Sequence, residues 1–345
     1  MPNPHIHRVL IVGGGSIGER HVRCFLQTGR ATVGIVEPND SIRSAVSERY
    51  RIKDVYQSLV DAIGNESWST AVICTPAQTH IRLTNQCLDA SLPVLIEKPL
   101  AITTYEAGSL VPRDDQTKVG VAYVHRAHPA LSAMRHALRE GQFGKPLQLV
   151  ATCGQHFPTY RPAFASTYYA QHKTGGGAIQ DALTHVFNSA EWLIGPITRI
   201  AVDAKHLALP DVEVEDTVHA LARHGEVMAS YTLNQHQAPN EVTVTVICER
   251  GTSRIEMHRS RWRSQTDPQG TWTDHDIAIG SRDTLFERQA EAWLNVVEDN
   301  APPLCSLQEG LQTLAVNEAS LWSVNNGSVW RDVNTSNITT IESLA

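Results

Sequence analysis

At 345 residues, 41% hydrophobic and 19% charged, the chain has the make-up of a globular protein long enough for two domains. Its formal charge of -7 and lack of any long basic tract exclude a nucleic acid or an anionic membrane surface as main partner, because both require a clustered cationic excess. No stretch approaches the roughly 18 consecutive apolar residues of a membrane-spanning helix.

The chain opens MPNPHIHRVLIVGGG and runs into an apolar strand without a cationic start and cleavable apolar core, so no signal peptide is expected. Short apolar runs then alternate with amphipathic stretches. RVLIVG precedes a helix from Ser16, ATVGIVE a helix from Ser41, TAVICT a helix from Thr79, and PVLIEK a further helix before KVGVAYV. This βα alternation predicts a parallel sheet covered on both faces. After Pro129 a helix (PALSAMRHALREG) leads to a strand (PLQLVATCG), an aromatic stretch (HFPTYRPAFASTYYAQHK) and a glycine-opened helix (GGGAIQDALTHVFNSAEWLIG). ITRIAVDAKHLAL, DTVHALAR, VMASYTLNQ, EVTVTVICE and TSRIEMH follow with period-two patterning, which predicts a mostly antiparallel sheet with one face on helices. Helices over TLFERQAEAWLNVVEDN and SLQEGLQTLAVNEASLWSVNNG close the chain, and the polar tail after Trp330 is expected to be loose. The fold class is therefore α/β. A doubly wound parallel sheet occupies residues 1–124, and residues 125–345 form an α/β domain with a large open sheet, its last helix expected to pack back on the first domain.

The chemistry concentrates at strand ends. In VLIVGGGSIGERH, Gly13, Gly15 and Gly18 form G-x-G-x-x-G between a strand and a helix, with Ser16 and Ile17 in its variable positions. There the chain must turn tightly and point helix amides at a dinucleotide pyrophosphate. Glu37 ends the second strand, where a carboxylate can accept both adenosine ribose hydroxyls, favouring NAD over NADP. Arg43, a turn later, leaves dual specificity open. VICTPAQTHIRL sets Thr75 and Pro76 at the sheet's mouth and His80 in the next helix. A loop along the nicotinamide half of the cofactor accounts for it, and so does a proline stop with Thr79 as helix cap.

PVLIEKPLA ends a buried strand on Glu97, Lys98 and Pro99, placing the lysine where ligands sit in open α/β sheets; the Lys98–Pro99 bond is a candidate cis bond. In GGGAIQDALTHVF, Asp181 and His185 share a helical face. Such a histidine can take an alcohol proton near neutral pH, although an Asp/His pair on a solvated helix explains the spacing equally well. Sixteen histidines occur, with His125, His128, His156, His172 and His185 around the site, but the close pair H-R-A-H lies at a strand end rather than on a helix, so no metal is expected. Arg259, Arg261 and Arg263 alternate along HRSRWRS, either for an anionic group, for acids across a subunit contact, or as an exposed cationic face. Six cysteines lie far apart without a C-x-x-C pair, which points to small buried thiols and a reducing cytoplasm.

With these motifs in this order, the sequence resembles the Gfo/Idh/MocA family, the glucose-fructose oxidoreductase and inositol dehydrogenase relatives, over roughly residues 8–330. The resemblance rests on Glu97-Lys98-Pro99 together with the glycine run before Asp181 and His185. It implies an NAD(P)-binding Rossmann domain, a second domain whose open sheet forms a homodimer or homotetramer, and oxidation or reduction of a sugar or polyol carbon. By motif, Lys98 matches the lysine on the reacting hydroxyl, His185 the proton acceptor, Asp181 its companion, and Glu97 and Pro99 the loop around them. Two departures stand out: Leu183 replaces a common glycine, and His125 precedes Arg126 where an Asn or aromatic is usual. The variable substrate loop offers His156, Tyr160, Arg161 and Tyr168, beside His125 and Arg126. The expected activity is an NAD-dependent sugar or polyol dehydrogenase. Transient oxidation within a lyase or glycosidase, and a silent NAD-binding sensor, are the alternatives.

Overall fold

Six short strands make the first sheet, five of them apolar and largely buried on both faces and one a two-residue edge strand that stays partly exposed. In this computed structural model, which describes residues 6–111, 113, 118–281 and 283–334, they are β1 (His7–Val12), β2 (Ala31–Val36), β3 (Val55–Tyr56), β4 (Thr70–Ile73), β5 (Val94–Ile96) and β6 (Val119–Val121). All pair in parallel, in the order β3-β2-β1-β4-β5-β6. The order reverses between β1 and β4, opening a crevice at the carboxyl ends of the strands.

Between the strands run α1 (Ser16–Gln27), α2 (Asp40–Tyr50), α3 (Leu59–Asn65), α4 (His80–Asp89) and α5 (Thr104–Ala107). Strand alternation sorts the core: Val9 and Ile11 pack with Phe25 of α1 and Val46 of α2, while Leu10 and Val12 pack with Leu59 of α3 and Leu83 of α4. Asn39 caps α2, its carbonyl oxygen accepting the Ile42 amide at 3.1 Å. Thr79 does not cap α4. Its hydroxyl instead meets Thr75 Oγ1 at 2.6 Å and donates to the Pro76 carbonyl at 2.8 Å, in a 3-10 turn that precedes the helix.

The second half comprises α6 (Pro129–Arg139), β7 (Pro146–Gly154), α7 (Phe157–Tyr160), α8 (Thr184–Ile194), β8 (Arg199–Lys205), β9 (Thr217–His224), β10 (Val227–Asn234), β11 (Glu241–Cys248), β12 (Gly251–Glu256), β13 (Arg261–Gln265) and β14 (Thr273–Asp276). Then follow α9 (Thr284–Val297), α10 (Leu307–Asn325) and β15 (Arg331–Asp332). The nine strands lie in the order β14-β13-β12-β11-β7-β10-β9-β8-β15 and are antiparallel except for β7 beside β10. One face buries Leu149, Ala220, Tyr231 and Val246 against α6, α8 and α10. The other leaves Leu147, Leu221 and Met228 more than half exposed. The tail was expected to be loose from Trp330, but Arg331 and Asp332 add an edge strand to β8; residues 335–345 lie outside the described residues.

Both closing helices return to the first sheet. α9 sets Trp293 and Leu294 on the Val9 face, and α10 sets Leu307, Leu311 and Leu314 on the Leu10 face. Further along, α10 turns Val316 and Ala319 into the core of the second sheet, so one helix fastens two cores. Ser306 and Glu309 form a capping box at its start.

Glu191 of α8 also faces α10. Gln312 Nε2 and Thr313 Oγ1 donate to its carboxyl at 2.8 and 2.7 Å, yet burial pushes this group up to about 7. The folded chain therefore holds a proton that the unfolded chain releases near pH 4.5, and this contribution to stability is full below that value and is lost as pH rises through about 7. Glu191→Gln should remove the decline, raising unfolding free energy at pH 8 by on the order of 1–3 kcal/mol and leaving it near wild type at pH 5, as denaturant titrations at both pH values will measure.

Candidate active site

The glycine turn fits its proposed ligand sterically. A Cβ on Gly18 would lie 1.8 Å from the Gly13 carbonyl oxygen, so only glycine lets α1 start this close under β1. A Cβ on Gly15 would meet nothing within 4 Å, which leaves open space over the amino end of α1, with Ser16 and Ile17 beginning the helix. Glu37 stands beside this space, buried, with Oε2 accepting the Gly14 N–H at 2.8 Å and Oε1 the Asn39 N–H at 2.9 Å. These bonds aim the carboxylate at the turn, where ribose hydroxyls can reach its remaining lone pairs. Arg43 is turned elsewhere, donating to the Glu37 carbonyl at 2.7 Å and to Asp40 at 2.5 Å.

Lys98 follows β5, and its peptide bond to Pro99 is cis. The side chain leaves the first sheet and reaches the second domain, where Nζ donates to both the carboxylate and the carbonyl oxygen of Asp181, each at 2.8 Å. Asp181 lies in a π turn, Ile179–Leu183, that opens α8; the sequence pattern had implied one regular helix. The glycine run makes this turn possible. A Cβ on Gly176 would lie 2.1 Å from the Tyr169 carbonyl oxygen, and Gly177, at φ +91°, packs on Glu215. Such π turns recur at functional sites.

Charge in this cluster is strongly coupled. Burial is the largest single influence and would lower the Lys98 ammonium, but the charges of Asp181 and Tyr168 and the hydrogen bond to Asp181 together outweigh it and keep the lysine protonated above its ordinary range. Burial likewise works against the Asp181 carboxylate, and Lys98 and Arg161 together hold it far below the usual carboxylate range. Tyr168 donates its hydroxyl to Asp181 Oδ1 at 2.7 Å, and its own proton is held up to about 12, first by burial and then by Asp181. Arg161, at the exposed rim, is raised above its ordinary value chiefly by the charge of Asp181.

His185 is held neutral. Burial, then the charge of Lys98, then His125 push it well below its ordinary value. Its ring packs edge-on to Tyr123 at 5.8 Å and tilted over His125 at 4.8 Å. Nδ1 is sealed without a partner while the residue is partly exposed, so Nε2 is the nitrogen left to meet a ligand. His125 is itself lowered to about 4, by burial first.

Other expected residues are placed differently. Arg126 was read as a substrate contact, but its buried guanidinium donates to Asn188 at 2.7 Å, to the Leu304 carbonyl at 3.0 Å and to Glu309 at 2.6 Å, bracing α8 against the start of α10. His80 was read as a cofactor contact, but its ring nitrogens lie 3.0 Å from the Pro99 and 2.7 Å from the Thr75 carbonyl oxygens, tying the Thr75–Pro76 loop to the Lys98–Pro99 loop. Glu97 turns from the crevice to His21 on α1. His156 meets Thr159 at 2.7 Å and Tyr160 is half exposed; among the described residues neither hydrogen-bonds to Lys98, Asp181 or His185. Arg259 lies in a 3-10 turn, while Arg261 and Arg263 pair within this chain, with Glu256 and Asp274. Among the described residues no group of three His, Cys, Asp or Glu side chains has the geometry for a metal ion, and all six cysteines are buried free thiols.

Three contributors carried no sequence signal. Tyr123, whose hydroxyl meets Thr184 Oγ1 at 2.9 Å, walls His185; Glu215 accepts the Ile179 N–H at 2.8 Å and fixes the π turn; His21 holds Glu97. Each partner is distant in the chain, beyond any local spacing rule.

Comparison with known proteins is consistent with this geometry. Residues 7–125 match the model of an oxidoreductase family with an NAD-binding Rossmann fold, and residues 131–254 match the GFO/IDH/MocA C-terminal domain. The chain belongs to the Gfo/Idh/MocA oxidoreductase family. Among similar members, inositol 2-dehydrogenase of Corynebacterium glutamicum (strain R) is 25% identical over 305 residues, covering 85% of this chain and 86% of the relative. D-apiose dehydrogenase of Paraburkholderia graminis is 24% identical over 336 residues, covering 92% and 87%. Levoglucosan dehydrogenase in complex with NADH and levoglucosan superposes with a TM-score of 0.86 at 19% identity, covering 95% of this chain and 100% of that one. In this Gfo/Idh/MocA member, Gly15→Ala adds a methyl group that the protein itself does not touch. Folding stability should fall by at most about 1 kcal/mol, the helix-cap preference, while NAD affinity measured by calorimetry should weaken at least tenfold because the methyl group occupies the pyrophosphate approach.

Proposed function

We propose that this protein is an NAD-dependent dehydrogenase of a sugar, sugar derivative or cyclic polyol, with Lys98 and His185 acting on the reacting hydroxyl. The observation that carries the reading is the buried Lys98–Asp181 pair beside a neutral histidine with one nitrogen open to the crevice. The related inositol and D-apiose dehydrogenases support the substrate class, and their net oxidation favours neither a transient-oxidation lyase nor a silent sensor. Glu37 beside the glycine turn, with Arg43 committed to Asp40, supports NAD over NADP: a 2'-phosphate would meet a like charge. The three half-exposed apolar residues on the open sheet face support a homo-oligomer through that sheet, and the free thiols support a reducing, cytoplasmic setting.

Bound NAD supplies the hydride acceptor. As the carbinol C–H bond breaks, the alcohol oxygen gains negative charge, and the Lys98 ammonium donates to it in a site from which water is largely excluded. Nε2 of His185 takes the hydroxyl proton, which requires the imidazole to be unprotonated beforehand; its depressed pKa meets that requirement. Asp181 keeps Lys98 charged and aimed, and Tyr168 completes the hydrogen bonding of the carboxylate.

Two sets of variants test this reading. Lys98→Ala and His185→Ala should each lower kcat by about a hundredfold to ten-thousandfold while NAD affinity stays within about threefold. Wild-type turnover at that affinity in either variant would contradict the assignment. The acid limb of kcat/KM in the wild type should lie below pH 6.5. Removing the Lys98 charge lets the histidine bind a proton more readily, so in Lys98→Met the limb should move to higher pH in whatever residual turnover remains.

A further inference from the structure

Glu97 precedes Lys98 directly, yet its carboxylate does not pair with the lysine ammonium. Oε2 accepts the Lys98 backbone N–H at 3.1 Å, and Oε1 lies 2.8 Å from Nε2 of His21. A carboxylate only accepts, so Nε2 carries the proton in that contact. Both side chains are nearly sealed, His21 at 1% exposure and Glu97 at 6%. The imidazole is walled by Phe25 and Phe286, with ring centroids at 6.2 and 5.8 Å, and its Nδ1 has no partner. His21 therefore has one polar contact to make, and that contact ends at the lysine's own peptide.

The position of this link matters more than its strength. His21 sits on α1, the helix that starts at the glycine turn and points its amides at the open space above Gly15. Lys98 has four rotatable bonds, so the place where Nζ arrives depends on where its backbone is held. We propose that His21 and Glu97 form a buried strut that ties the cofactor-binding helix to the Lys98 peptide, making both residues positioning residues for the lysine; the inference rests on the dehydrogenase reading above. Through this strut, α1 and the Lys98–Asp181 contact share one rigid frame, so seating a dinucleotide on α1 and aligning the ammonium are mechanically linked. Neither residue touches the reacting atoms.

The experiment compares two amides at position 21. His21→Gln puts its side-chain N–H about where Nε2 stands, whereas His21→Asn is too short to reach Glu97. Kinetics, NAD affinity by calorimetry and thermal midpoint are measured for both. The strut predicts that His21→Gln stays within about threefold of wild type in kcat, while His21→Asn loses about tenfold to a hundredfold in kcat with NAD affinity within threefold. A purely structural role would lower both thermal midpoints without separating the two kcat values. Equal kcat in the two variants, or a loss confined to NAD affinity, overturns the proposal. If His21→Asn does not fold, His21→Met fills the same volume without a donor and takes its place. A crystal structure of the Asn (or Met) variant with NAD gives a readout independent of turnover: the 2.8 Å Lys98–Asp181 contact should be lengthened or lost, and an unchanged contact refutes the strut. If the wild type makes no NADH from any sugar or polyol, the dehydrogenase reading fails, and that contact distance alone decides the strut.

Discussion

The ion pair between Lys98 and Asp181 is the constraint on which the rest depends. An ammonium taken out of water loses its charge unless a carboxylate is held against it, and here burial acts against both partners while each sustains the other. The lysine arrives from the end of a parallel strand in the first sheet, and the aspartate from a π turn packed over the second. Neither half of the chain makes the site alone. That is why α10 matters: its Leu311 and Leu314 belong to one core and its Val316 and Ala319 to the other, so one helix is shared by the two halves that the lysine bridges.

Buried ion pairs are weak evidence for stability, since a well-packed apolar pair of similar volume is often as good. The gain from this one lies in its field. Burial first and then the Lys98 charge keep His185 neutral while Lys98 itself remains a donor, which sets a base and an electrophilic hydrogen-bond donor side by side at neutral pH. Without Asp181 the lysine would tend to neutrality; without Lys98 the histidine would bind a proton more readily. Arg161 and Tyr168, both on the aromatic stretch, converge on the same carboxylate, so the variable loop is coupled to the catalytic pair through Asp181.

Much of this was legible in the residues. Parallel and antiparallel halves follow from the patterning, and Gly13, Gly15, Gly18, Glu37, Lys98, Asp181 and His185 were each marked by type and spacing. Long-range partnering was not legible. Arg126 and His80 looked available because a sequence shows charge and ring nitrogens but not the carbonyl oxygens of Leu304, Pro99 and Thr75 that stand against them in the fold. The π turn was hidden because Asp181 and His185 sit at ordinary helical spacing, while the group that takes the Ile179 amide at its start, Glu215, lies 34 residues beyond Asp181. At Arg331 and Asp332 the expected looseness after Trp330 gives way for a similar reason: polar residues can still complete a sheet edge when β8 offers unpaired backbone.

The most direct test of the central claim is isotopic. With a sugar or polyol substrate deuterated at the reacting carbinol carbon, the account predicts that the deuterium appears in isolated NADH, one per molecule oxidised, and that Lys98→Ala suppresses its appearance without releasing NAD. Substrate turnover with no deuterium in the nicotinamide would contradict it.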